Sequence, residues 1–218
     1  YTTNIKIAKA VDILILSIKP QNMKEVLAEI KIAIGNETLI VSIAAGITTD
    51  SIRKSLGCDS VIRVMPNTPA LVGQGAAVLY ATKQAKPRLD EVERIFSAVG
   101  LVTSVDDENL MDAVTAVSGS GPAYFFLLME EMIKTAVKLG LDTEHAEKLV
   151  LQTAKGAAIL AIERAKAGEK PQTLRQKVTS PHGTTEAALK IFGKYEFEKI
   201  ILEALAAAAK RSKELSAS

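Results

Sequence analysis

Short β-branched runs alternate with helical stretches up to about residue 106, and then the strand signals stop. That switch constrains the chain more than any single motif does. Asp12 to Ile18 (DILILSI) reads as a strand buried on both faces. Lys19-Pro20 ends it, and a helical stretch runs to about Ile34 before the Gly35-Asn36 break. Strands are predicted at Thr38 to Ile43, Ser60 to Val64, Ala76 to Ala81 and Leu101 to Val105, with helices at Thr48 to Leu56 and Lys86 to Val99. Strands joined through helices by short links imply βαβ units and a mostly parallel sheet. Beyond Asp107 only helical patterns occur: Glu108 to Val117, Gly121 to Leu139, Thr143 to Ala167, Pro171 to Val178, Thr184 to Phe192 and Glu196 to Glu214. The division is therefore residues 1–106, α/β, and residues 107–218, all-α.

The second half carries an anomaly. Leu128, Met132, Ala136 and Leu139 form one helical stripe, but Phe125, Phe126, Leu127 and Ile133 widen it past a half-buried face. A helix apolar on most sides needs burial among several others, and a second subunit is one source of cover. Composition excludes several alternatives. Hydrophobic residues are 48% and charged residues 24% of 218, which is ordinary globular usage. A net charge of +2, with both signs interspersed, leaves no nucleic-acid footprint. The longest apolar run outside an obvious helix, Ile13 to Leu16, is far short of the ~20 residues a bilayer needs. One cysteine, Cys58, rules out a disulfide framework within one chain and fits a reducing cytosol. Two distant histidines and that cysteine make no metal site.

Four segments could carry chemistry. Ligands of doubly wound sheets sit beyond the carboxyl ends of the strands. Ser17-Ile18-Lys19-Pro20 and Ile43-Ala44-Ala45-Gly46 occupy such ends. Their small residues would let a flat ring or ribose approach the backbone, and Lys19 could neutralise phosphate; equally, Pro20 could be a helix N1 residue and Lys19 a solvated side chain. Met65-Pro66-Asn67-Thr68-Pro69 also follows a strand, but loops often look like this. The fourth segment is Ser180-Pro181-His182-Gly183-Thr184-Thr185, a Ser/Thr/Gly turn leading straight into a helix. Its unpaired N–H groups suit a carboxylate or phosphate, with hydroxyls of Ser180, Thr184 and Thr185 as added donors. The same segment also reads as a plain N-cap. No G-x-G-x-x-G fingerprint is present, and Gly73-Gln74-Gly75 reads as a turn.

Taken together, DILILSIKP (12 to 20), SIAAGIT (42 to 48), RVMPNTPALVGQG (63 to 75), DAVTAVSGSGPAY (112 to 124) and LRQKVTSPHGTTEAAL (174 to 189) resemble the pyrroline-5-carboxylate reductases. The stretches occur in family order over almost the whole chain, and the last two are the specific ones. The resemblance implies an α/β Rossmann-like domain followed by an all-helical dimerisation domain. In the family the glycine-rich loop lies ahead of the position that Tyr1 occupies, so residues are expected to be missing before Tyr1.

The activity implied is reduction of 1-pyrroline-5-carboxylate to L-proline with NADPH or NADH, in the cytoplasm. The implied partners are a cyclic imino acid and a second copy of the chain, in a homodimer or larger assembly through the C-terminal helices. Carried over by position, Asn4, Ser17, Ile18, Lys19, Pro20, Ile43, Ala44 and Ala45 would line the dinucleotide. Glu108, Ser180, Gly183, Thr184 and Thr185 would meet the substrate, with Thr185 the catalytic hydroxyl. Two departures stand out. His182 replaces the first glycine of the usual S-P-G-G turn, which matters if that position needs φ > 0. Lys177 replaces an asparagine that touches the neighbouring subunit's cofactor in some relatives.

Two other readings compete. One is a different imine or 2-hydroxyacid reductase on the same architecture; such enzymes generally need a lysine on the long helix, and none sits near Ser118 to Phe126. The other is a helical dimerisation module whose vestigial sheet binds no dinucleotide, which a G-x-G upstream of Tyr1 would exclude.

Overall fold

The structure is a computed structural model that describes residues 3–35 and 37–217. Tyr1, at the chain's opening, and Asn36, in the expected break, lie outside the described residues. The first half contains α1 (Asn4–Lys9), β1 (Ile13–Leu16), α2 (Met23–Ile30), β2 (Leu39–Ser42), α3 (Thr49–Leu56), β3 (Val61–Met65), β4 (Gly75–Ala81), α4 (Leu89–Ser97) and β5 (Gly100–Ser104). Of these only α1 lacks a counterpart in the sequence pattern. The five strands form one sheet in sequential order, β1-β2-β3-β4-β5. Pairs β1·β2, β2·β3 and β4·β5 are parallel, but β4 runs antiparallel to β3. Chain length explains the exception. The β3–β4 link, residues 66–74, holds only a 3-10 turn (Thr68–Val72), too short for the dozen or more residues of a parallel crossover.

Side-chain alternation gives the sheet two buried faces. On β2, Ile40 joins the cluster with Leu14, Leu16, Leu27, Ile52 and Val61, packed by α2 and α3. Leu39 and Val41 point the other way, to Ile62, Val64, Leu79 and Val92, covered by α4. Arg63 and Ser42 are register partners on the α3 side of the sheet, one position beyond its apolar cluster.

The second half contains α5 (Met111–Val114), α6 (Gly121–Lys138), α7 (Thr143–Ala165), α8 (Pro171–Lys177), α9 (Thr184–Lys194) and α10 (Phe197–Ala217). The expected helix from Glu108 to Val117 is a 3-10 turn, the short α5 and a π-turn at Thr115–Gly119. Two compact units result: residues 1–122 with 204–218, and residues 123–203. The strand-to-helix switch at 106/107 is thus not where the contacts divide. Residues 107–122 pack with the sheet because Met111 and Ala116 are buried, and Ser212 Oγ on α10 donates to Asp112 Oδ1 at 2.7 Å.

Candidate functional site

In the first unit the expected strand ends come together. Ile43 N–H donates to Leu16 O at 3.3 Å, so the segments after β1 and β2 leave the sheet side by side. Ser17 and Lys19 are exposed there, and Ala44 is buried, its N–H donating to Ser42 Oγ at 3.3 Å. Pro20 opens a 3-10 turn (Pro20–Asn22) after extended Lys19, so it does serve as a helix-start residue. Gly46 is needed twice over. Its φ is +72°, and a Cβ would sit 2.8 Å from Leu215 Cβ on α10. Asn4 is tied elsewhere: its Nδ2 donates to Glu29 Oε2 on α2 at 2.8 Å.

Glu108 has its own partners within the protein. Its Oε1 accepts from the Thr49 N–H at 2.8 Å, and its Oε2 from the Thr49 hydroxyl at 2.6 Å. Arg63 Nη1 completes the group at 3.3 Å from Oε1. The carboxylate also sits on the first residue of α3, where the helix dipole favours negative charge. The Thr49 and Arg63 roles escaped sequence reasoning. A signal existed: an arginine inside the apolar strand V-I-R-V-M requires a buried counter-charge.

Asn67, in sequence only a polar loop residue, is a bridge. Its Nδ2 donates to Ser118 O and Oγ at 3.3 and 3.4 Å, and its Oδ1 accepts from Ala76 N–H at 2.8 Å. The π-turn of the Ser118-Gly119-Ser120-Gly121 motif is thereby held against the end of β3. Sites of this kind of turn are frequently functional.

In the second unit, the Ser180–Gly183 turn feeds α9, with extended Gly183 as its N-cap and no side-chain cap. His182 takes φ 61°, so this position does demand the left-handed conformation that glycine supplies without strain. The turn is closed by Gly183 N–H to Ser180 O at 3.1 Å and His182 N–H to Glu186 Oε2 at 2.9 Å. Glu186 is also paired with Lys190 at 3.3 Å. A Cβ on Gly183 would meet Ser180 Oγ at 2.4 Å and Ser180 O at 3.1 Å, so a side chain there would displace the Ser180 hydroxyl. Among the described residues the N–H groups of Thr184, Thr185 and Glu186 and the Thr185 hydroxyl have no protein partner. Thr184 is exposed and Thr185 half-buried. Lys177 forms an ion pair with Glu169, whose side chain is largely buried.

Comparison with known proteins decides the family. The reductase of Pseudomonas aeruginosa named pyrroline-5-carboxylate reductase is 49% identical over 216 residues, 98% of this chain and 78% of that protein. The chain belongs to the pyrroline-5-carboxylate reductase family. A family model described as pyrroline-5-carboxylate reductase dimerisation matches residues 108–215, and one described as NADP oxidoreductase coenzyme F420-dependent matches residues 1–46. Solved reductases of the family superpose closely. The Coxiella burnetii enzyme has a TM-score of 0.90 at 42% identity, covering 99% of this chain and 80% of that one. The Plasmodium falciparum enzyme, solved with NADP bound, has a TM-score of 0.89 at 32% identity, covering 99% and 81%.

Proposed function

We propose that this protein reduces 1-pyrroline-5-carboxylate to L-proline, the last step of proline biosynthesis, using NADPH or NADH. In a member of this family, the observation that carries the reading is the start of α9: three unpaired N–H groups and a free Thr185 hydroxyl converge where an anionic imino acid needs donors. The N–H groups of Thr184 and Thr185 would hold the substrate carboxylate, Gly183 keeps the approach open, and Ser180 with Thr184 adds hydroxyl donors. Thr185 would hydrogen-bond the ring nitrogen and orient the C=N bond. A neutral threonine is a poor acid at pH 7, and the product amine is basic enough to take its proton without a strong one.

The dinucleotide fits the strand ends of the first unit. Exposed Ser17 and Lys19, Ile18, Pro20, and the Ile43–Ala45 segment offer backbone, small side chains and one cation at the carboxyl edge; Asn4, the remaining candidate, would have to leave Glu29 to join them. When bound, it supplies the hydride that reduces the imine carbon. Residues 1–106 would serve as the dinucleotide-binding domain and residues 107–218 as the substrate-binding and dimerisation domain. We place the enzyme in the cytoplasm as a homodimer or larger homo-oligomer built through the C-terminal helices. The dimer is supported by the exposed apolar side chains of the helical unit and by its open groove of about 1130 Å³, lined by Leu128, Leu189, Phe192, Phe197 and Leu202. Oxidation of NADPH and of NADH, followed spectrophotometrically with 1-pyrroline-5-carboxylate, tests the assignment. Turnover with at least one cofactor is expected, and none with either overturns it.

A further inference from the structure

We propose that Glu108 is a positioning residue for the dinucleotide, acting through Thr49 and Arg63 on the loop between β2 and α3, and not a ligand of the imino acid. The inference rests on the dinucleotide placement proposed above. Both carboxylate oxygens have partners inside the protein: Oε1 accepts from the Thr49 N–H and Arg63, and Oε2 from the Thr49 hydroxyl. What they grip is the first residue of α3, three positions beyond Gly46 and four beyond Ala45. The loop is therefore fixed at both ends. Ile43 N–H to Leu16 O and Ala44 N–H to Ser42 Oγ hold its start. Glu108, from the chain segment after the sheet, holds its finish. Between them Gly46 lies against Leu215, with no room for a Cβ on that side.

Stability alone does not call for this arrangement. The Arg63 side chain is 4% exposed and its Nη2 has no partner among the described residues, while Glu108 is 21% exposed, so the cation of the pair is buried with one donor group unmatched. Apolar residues at such positions are often as stable or more so, and in some proteins a buried polar pair is kept because it fixes geometry. Here the geometry fixed is that of the segment assigned to the dinucleotide.

The test uses the whole protein and two readouts: NADPH and NADH binding by fluorescence titration, and KM for each substrate. Glu108→Gln loses the charge while keeping the size of the side chain. It should weaken dinucleotide binding about tenfold, equivalent to ~1.4 kcal/mol, with KM for the imino acid unmoved. Thr49→Val, which keeps the backbone N–H, should give a smaller loss in the same direction, and Thr49→Ser should restore it. If Glu108→Gln raises KM for the imino acid and leaves dinucleotide binding intact, Glu108 touches substrate and the proposal is overturned. A lower melting temperature with both affinities unchanged also overturns it, leaving only a structural tie. Should the unmutated protein bind dinucleotide yet fail to reduce the imine, the functional reading falls, while the binding titrations still decide the role of Glu108.

Discussion

The two compact units bury their apolar residues very differently. Around the sheet, Leu39, Ile40, Val41, Ile52 and Leu79 are completely inaccessible to solvent. In residues 123–203, Ala146 and Val150 are the only buried apolar side chains among the described residues. Phe125 and Phe126 of α6 remain 64% and 59% exposed, and Leu139 82%. Apolar surface in such quantity marks an interaction face. The first unit thus buries a core of its own, and the second exposes apolar faces for which we propose cover by a second copy. The site follows the same division: the strand ends rest on a finished sheet, whereas the α9 turn rides on helices that need cover.

The largest effect should come from removing that cover. Phe126→Asp places a charge in the apolar face of α6, and a charge cannot be buried there unpaired without a cost of several kcal/mol. Sedimentation should show loss of the oligomer, and far-UV circular dichroism loss of helix. Leu71→Asp is the contrast, since Leu71 is 90% exposed in the first unit and should change neither signal. A stable, folded monomer of the unmutated protein at micromolar concentration would break the comparison outright.

Next in size is a cavity in the finished core. Leu79→Ala removes a side chain packed among Leu39, Ile62 and Val64 and should cost ~2–5 kcal/mol in denaturant unfolding. Because Leu79 lies at the sheet, the oligomer should survive in native buffer, unlike that of Phe126→Asp. Dissociation by Leu79→Ala would show that the two units do not hold together independently.

Thr185→Ala moves from packing to chemistry. It removes one hydroxyl and keeps the helix-start N–H groups, so the carboxylate should still bind. A loss of ~1–3 kcal/mol in the transition state, the worth of one well-placed hydrogen bond, lowers kcat roughly 5- to 150-fold. Thr184→Ala should do less, its side chain being exposed. If both variants keep kcat and only melt earlier, the turn is a structural cap and nothing more.

How much of this was legible in the sequence follows the same contrast. Periodicity located all five strands, because each is short and bounded by turns, and it revealed the unusual apolar breadth of α6. It missed the antiparallel β4, which depends on the length of a loop rather than on any residue pattern. The family resemblance set Glu108 among the substrate contacts, where we propose a positioning role instead. The partners of Glu108, Thr49 and Arg63, lie 59 and 45 residues away in the chain. Contacts of that range leave no local trace beyond one arginine in an apolar strand. The Ser180–Thr185 turn was readable because helix-start chemistry is local.

The smallest effect concerns His182, and it separates strain from sparse packing within the second unit. A left-handed conformation costs an ordinary residue ~1–2 kcal/mol, and glycine removes that cost. Glycine also gives the unfolded chain more freedom, which returns ~0.4–1 kcal/mol of the gain. His182→Gly should therefore stabilise the protein by about 0.5–1 kcal/mol, since the backbone N–H that donates to Glu186 is retained. The two variants of this turn then move different observables: Thr185→Ala lowers kcat, and His182→Gly raises the melting temperature. Both must be read at one protomer concentration, because association contributes to the apparent stability of an oligomer. A lower melting temperature for His182→Gly would mean that the imidazole makes contacts in the assembled protein outweighing its backbone strain. The cover missing from the second unit would then reach as far as this turn.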